Sequence, residues 1–209
     1  MTEALPEQHP GEVFARVAAL ARGKDVVALG PGLGTAPDTV ALVRRLVREL
    51  PQPMVIDADA LNALAGSDFA GEGRVRILTP HPGEMARLTG STTAQVQADR
   101  VGAARDFAHE RRVTLVLKGQ RTLIAYPDGR VSVNPTGTPA LATGGSGDIL
   151  TGTIAALVAQ FPEETDRAVA AAVYLHGLAG QLGAAELGEK SLIATDLLRY
   201  YPAAIHACL

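Results

Sequence analysis

The chain has 209 residues, enough for one domain with a buried core, and 47% apolar against 20% charged side chains excludes intrinsic disorder. Nineteen basic and 22 acidic residues give a net charge of −3, which excludes a chain built to neutralise a nucleic-acid backbone. The single cysteine, Cys208, excludes an internal disulfide framework and suits a reducing, cytoplasmic setting.

The opening MTEALPEQHPGE is acidic and proline-rich and carries no apolar signal-peptide core. A 3.6-residue apolar period then predicts a helix over residues 11–21. Residues 25–29 (DVVAL) read as a strand, 37–50 as a helix, 54–57 (MVID) as a strand and 59–64 as a short helix. A strand at 75–78 (VRIL) is followed by helices at 82–88 and 93–111. Strands are expected at 114–118 (TLVLK), 122–126 (TLIAY) and 130–133 (RVSV). Pro127-Asp128-Gly129 joins the last two, and such a turn suits an antiparallel hairpin. Helices at 147–160, 164–187 and 195–205 complete the chain. The apolar runs 152–161 and 168–179 are too short for a membrane span and are interrupted by polar residues. Strand alternating with helix implies an α/β fold: a mostly parallel sheet covered on both faces, in one domain over residues 1–209.

Ligands of open parallel sheets sit beyond the carboxyl ends of the strands. Four unusual junctions fall there: GPGLG (30–34), DADALN (57–62), TPHPGE (79–84) and Lys118-Gly119. A fifth stretch, ATGGSGDILTG (142–152), is the sharpest. Gly144, Gly145 and Gly147 let the backbone gather N–H groups at the start of an apolar helix, which makes an anion site. Asp148 inside it would repel an anion, and taking a proton from an attacking hydroxyl gives it a reason to be there; the bland reading is an ordinary first-turn residue. No Lys-Ser/Thr pair follows the glycines, so this is not a Walker A loop.

The other junctions have two readings each. GPGLG makes a tight corner or touches a ligand. Asp59 reads as the N-cap of the helix that follows it. Asp57 ends a buried strand and needs a partner, a polar ligand or a metal-bound water. His81 and Glu84 are held at a helix start by two prolines, either as caps or as ligand contacts. Lys118 neutralises a local carboxylate or reaches a phosphate. His176 is expected in a helix interface, and His9, His109 and His206 at the surface.

Together these segments resemble the ADP/ATP-dependent NAD(P)H-hydrate dehydratase family of the ribokinase-like superfamily. The resemblance rests on GPGLG, VIDADALN (55–62), LTPHPGEMARL (78–88), LKGQRT (117–122), NPTGTPALATGGSGDILTG (134–152) and AVYLHGLAG (172–180). It implies a ribokinase-like fold and an enzyme that repairs hydrated NADH and NADPH. A nucleotide phosphorylates the added hydroxyl, and phosphate then leaves. It also implies Mg2+, with ADP in preference to ATP as co-substrate, and a homo-oligomer with no nucleic-acid or membrane partner. Asp148 would be the base. Gly32, Gly34, His81, Asp57 and Asn62 would border the substrate with Asp148. Lys118, Gly119, Gln120, Arg121, Thr122, Gly145, Ser146 and Gly147 would line the nucleotide. Glu84 would organise magnesium through water. Family members carry further strand–helix units before this point, so the domain is expected to be N-terminally incomplete, with an open sheet edge. Two alternatives share the motifs: a ribokinase-like small-molecule kinase that stops after phosphorylation, and a nucleotide-binding fragment without turnover.

Overall fold

The computed structural model describes residues 10–209. Its elements are α1 (Pro10–Ala21), β1 (Val27–Leu29), α2 (Pro37–Glu49), β2 (Met54–Ile56), α3 (Ala58–Leu64), β3 (Arg76–Leu78), α4 (Pro82–Thr89), α5 (Thr93–Ala98), α6 (Arg100–Arg111), β4 (Thr114–Leu117), β5 (Leu123–Ala125), β6 (Val131–Val133), α7 (Ser146–Gln160), α8 (Thr165–Leu187) and α9 (Leu197–His206). The six strands lie side by side in chain order. β1 to β4 are mutually parallel, and β4, β5 and β6 pair antiparallel, as the hairpin turn predicts.

Strand side chains alternate between faces with a period of two. Met54, Ile56, Leu78, Leu115, Leu117 and Leu123 pack with apolar residues of α1 to α6. Val55, Ile77, Val116 and Ile124 pack with Leu150, Ile154 and Val158 of α7 and Val169 and Val173 of α8. A smaller apolar cluster joins Ala179 of α8 to Leu197, Tyr200 and Ala204 of α9.

Two expectations need correction. The stretch predicted as one helix over 93–111 is two helices. Asp99 breaks it with φ −142° and ψ 76°, and its carboxylate accepts from the Gly102 N–H at 2.8 Å, starting α6. A satisfied N-cap competes well with one more helical residue. The apolar run at 168–179 is part of a longer helical stretch, Pro162–Leu187, which contains an 18-residue window of mean hydropathy 1.3 and is, by length and composition alone, long and apolar enough to cross a membrane. Half of that window is buried inside the protein, where α8 contributes to the α7–α8 and α8–α9 apolar clusters.

At the start of β3, Arg76 is 1% exposed. Its guanidinium donates to the carbonyls of Val47, Leu50, Gln52 and Val75. It therefore ties the C-terminal end of α2 to β3, and burial pushes its pKa down to about 10, with Arg74 adding to the shift.

Candidate active site

The carboxyl ends of β2 and β4 carry Asp57 and Lys118. Asp57 is 1% exposed, and a buried carboxylate is costly unless paired. Lys118 Nζ donates to Asp57 Oδ1 at 2.8 Å, and Thr151 Oγ1 from α7 donates to Oδ2 at 3.0 Å. Burial raises the Asp57 carboxyl, but the charge of Lys118, with hydrogen bonds from Lys118, Thr79 and Thr151, holds it below the usual carboxylate range. Glu84, also buried, lies 3.7 Å from the same ammonium. Two carboxylates thus face one lysine, an excess of negative charge in a poorly solvated place.

Glu84 is fixed by its own helix start. Its Oε2 accepts from the His81 N–H at 2.7 Å, while His81 Nδ1 accepts from the N–H groups of Gly83 and Glu84. This reciprocal capping box is the role that the sequence allowed for His81 as a cap. Nε2 of the same imidazole lies 3.7 Å from Glu84 Oε1, and about half of the side chain is exposed.

The DADALN turn is shaped by Ala58, whose φ of 49° lies in the left-handed region. That costs a non-glycine residue about 1 kcal/mol. It lets Asp57 face the cluster while Asp59 faces the glycine turn, where its Oδ2 accepts from the Gly34 N–H at 2.8 Å. The expected N-cap role of Asp59 is therefore corrected: Asp57 holds the N-cap position of α3, and Asp59 lies inside its first turn. Gly30 is required by contact, since a Cβ there would lie 1.7 Å from the Asp57 carbonyl oxygen. Gly32 and Gly34 both have φ of 73° and are exposed. Asn62 accepts from Arg87 Nε at 2.7 Å.

Helix α7 starts above the cluster. Gly145, with φ 87°, occupies its N-cap without a side-chain cap; the Ser146 N–H donates to the Thr143 carbonyl at 3.3 Å, and among the described residues the N–H groups of Gly147 and Asp148 are left for another partner. A Cβ on Gly147 would sit 3.4 Å from Lys118 Nζ and 3.6 Å from Asp57 Oδ2, so the helix start rests directly on the ion pair. Asp148 is exposed in the first turn.

A cleft of about 890 Å³ runs away from this point. His81, Lys118, Gly119, Gln120, Arg121, Thr122, Ser146 and Gly147 line it, whereas Gly32, Gly34, Asp57, Asn62, Glu84, Gly145 and Asp148 do not. The structure thus separates the predicted residues into a cleft wall and a rim, which meet at Lys118 and Gly147.

Several residues that shape the cleft were given no site role in the sequence, although segments 134–152 and 172–180 carried the resemblance. The segment 134–143 forms one wall and is pinned to α8 by side chains. Asn134 Nδ2 donates to the Val173 carbonyl at 3.4 Å, Thr136 Oγ1 to that of Tyr174 at 2.8 Å, and Gln181 Nε2 to that of Gly137 at 3.2 Å. Gly177 makes room for it, since a Cβ there would lie 2.2 Å from Thr136 Oγ1. Arg100, at the start of α6, donates to the carbonyls of Gln120 at 2.6 Å and Leu117 at 3.3 Å, clamping the Lys118–Thr122 turn. The available signal was the small-residue spacing of Gly177 and Gly180 in α8; for Arg100 there was none. His176 has the expected interface position, 7% exposed with Nδ1 3.1 Å from Tyr201 Oη, and it also lines the cleft. His109 and His206 are exposed; His9 lies outside the described residues.

A family model described as NAD(P)H-hydrate dehydratase matches residues 2–203. The chain belongs to that family. The bifunctional NAD(P)H-hydrate repair enzyme Nnr of Moorella thermoacetica is 46% identical over 212 residues, covering 97% of this chain and 39% of that protein. The ADP-dependent (S)-NAD(P)H-hydrate dehydratase of Neisseria meningitidis serogroup B is 43% identical, covering 86% of this chain and 61% of its own length. The chain therefore spans less than two thirds of these curated relatives. A solved ADP/ATP-dependent NAD(P)H-hydrate dehydratase from Bacillus subtilis, co-crystallised with ATP/Mg2+, superposes with a TM-score of 0.82 at 36% identity, covering 91% of this chain and 68% of that one. A ribokinase-like superfamily protein from Enterococcus faecalis superposes at 0.72 with 28% identity, covering 90% and 68%. The fold of this dehydratase-family chain is ribokinase-like.

Proposed function

We propose that the chain carries the nucleotide-dependent dehydration of (S)-NAD(P)H hydrate to NAD(P)H, with ADP or ATP as phosphoryl donor. The observation that carries this reading is the start of α7 seated on the Asp57–Lys118 pair at the mouth of the cleft. A nucleotide in the cleft would bring its terminal phosphate to the N–H groups of Gly147 and Asp148. Asp148, exposed in the same turn, is then beside the path of a hydroxyl attacking in line. In this reading it takes the hydroxyl proton as the oxygen–phosphorus bond forms and the nucleotide's bridging bond breaks. The ring nitrogen's lone pair next expels phosphate, and a proton lost from the neighbouring carbon restores the double bond. In this reading Gly32 and Gly34, the latter held through Asp59, border the hydrated ring together with His81.

The donor set fits magnesium held through water. Glu84 and Asp57 outnumber Lys118, and no group of three or more His, Cys, Asp or Glu side chains able to close around an ion is found among the described residues. A cation of this kind keeps several waters and is held chiefly by phosphates. When bound, it shares the phosphate charge; Glu84 would hold one of its waters.

The test is incubation of the chain with hydrated NADH, Mg2+ and either nucleotide, followed by ultraviolet absorbance and phosphate release. Return of the NADH chromophore with free phosphate is the expected result. A stable phosphorylated product would instead mark a kinase, and nucleotide binding without turnover a non-catalytic binder. Size exclusion with light scattering checks the expected homo-oligomer.

A further inference from the structure

His176 sits where α7, α8 and α9 meet, and its hydrogen bonds can be assigned by counting protons. Thr153 Oγ1 lies 2.8 Å from the Ile149 carbonyl, which can only accept. If Thr153 gives its one proton there, the 2.7 Å contact between Thr153 and Tyr201 must be a donation by Tyr201. Tyr201 then has no proton left for His176, so the 3.1 Å contact is a donation from His176 Nδ1–H to Tyr201 Oη. This arrangement makes all three contacts hydrogen bonds; the reversed chain makes only two. Burial, with a smaller contribution from the charge of Lys118, holds the imidazole pKa down at about 4, so it carries one proton near neutrality.

With the proton on Nδ1, Nε2 is left as an acceptor. Tyr201 covers the Nδ1 side and takes no part in the cleft, whereas His176 lines it, so the Nε2 side is what meets the cleft. No hydrogen bond to Nε2 is found among the described residues. Resting on the nucleotide reading above, we propose that His176 Nε2 is a specificity-determining acceptor for an N–H or O–H donor of the bound nucleotide. Phosphate oxygens cannot satisfy it, because they only accept. The donors a nucleoside diphosphate offers are the amino group of its base and its ribose hydroxyls, and Tyr201, through Thr153, keeps the imidazole in the form that receives them. A buried acceptor left unpaired penalises any analogue that lacks the donor.

The experiment is calorimetry on the full chain with ADP, inosine diphosphate, 2′-deoxy-ADP and 3′-deoxy-ADP, on the unaltered protein and on His176→Phe. One donor-deleted analogue is expected to bind the unaltered protein about 5–10-fold more weakly than ADP, the worth of one hydrogen bond. In His176→Phe that difference should vanish, with ADP weakened by the same factor. Which analogue responds tells base amine from ribose hydroxyl. Equal binding of all four to the unaltered protein, or an undiminished difference in His176→Phe, overturns the proposal while leaving the nucleotide reading intact. Failure of the unaltered protein to bind any nucleotide defeats both. A second measurement needs no altered fold: ring-nitrogen NMR of the free protein should show the Nδ1–H tautomer, and an Nε2–H tautomer overturns the assignment.

Discussion

Buried charge is handled differently at the two ends of the sheet. At the carboxyl end, Asp57 and Lys118 neutralise each other, with Glu84 as a second claimant on the same ammonium. At the opposite end, Arg76 faces no carboxylate among the described residues and gives its protons to four main-chain carbonyls. Side-chain partners can be exchanged when a ligand brings charge of its own. Main-chain acceptors cannot move without moving α2. The first arrangement leaves a site that can respond; the second is a fixed joint.

The largest expected effect tests whether chemistry resides at the responsive end. Asp148→Asn should lower turnover by about 10²–10⁴-fold with nucleotide affinity and thermal midpoint retained, measured by kinetics, calorimetry and melting on one preparation. Near-normal turnover would reject Asp148 as the base. Next comes the ion pair. Lys118→Met strands a buried carboxylate and should cost roughly 3 kcal/mol in denaturant unfolding. Adding Asp57→Asn should recover much of that loss, because the charge in need of a partner is gone. A double variant no more stable than the single one would show that the two side chains are not coupled.

Arg76→Met should cost about 2–3 kcal/mol by leaving carbonyls such as those of Val47 and Leu50 unpaired. No second side-chain replacement rescues it, since its acceptors belong to the backbone. Turnover per folded molecule should not change, and a selective loss of turnover would break the contrast between the two ends.

The smallest effect is on acid stability. His176 has a folded pKa of about 4 against 6.5 for the free side chain, so between those values the unfolded chain binds a proton that the folded chain refuses. Stability is therefore full above pH 6.5 and falls as pH drops, by roughly 2 kcal/mol between pH 6.5 and 5. Asp57 is also lowered, so its contribution is present above the ordinary carboxylate pKa and disappears only below it, as pH falls through the folded value. Denaturant midpoints across this range should flatten above pH 5 in His176→Phe. An unchanged slope would place the titration elsewhere.

The strands, their parallel direction before the hairpin and the rim junctions were legible in the sequence, because short β-branched runs and glycine turns are local signals. The errors were also local, but competitive. Asp99 lies in a stretch with continuous helical spacing, and only its side-chain bond to the Gly102 N–H reveals the break. Asp59 had the character of an N-cap, but with Ala58 left-handed the N-cap falls two residues earlier, at Asp57, and Asp59 turns to Gly34. What the sequence could not give was pairing over distance. Lys118 had two named readings, and the choice of Asp57, 61 positions away, depends on β2 and β4 flanking β3, with Ile56 and Leu115 both in register with Leu78. The pinning of segment 134–143 to α8 was invisible for the same reason.

Because the six strands lie in the order in which they occur along the chain, the sheet can grow at one edge as each strand leaves the ribosome. Each new pairing closes a short loop, at small entropic cost. The contact between Asp57 and Thr151 spans 94 positions and waits for α7, after every strand has been made. The reactive corner is therefore expected to be the last part assembled. Pulse-labelled hydrogen exchange during refolding should protect β2 and β3 before the first turn of α7, and simultaneous protection would show instead that the sheet and its ceiling form together.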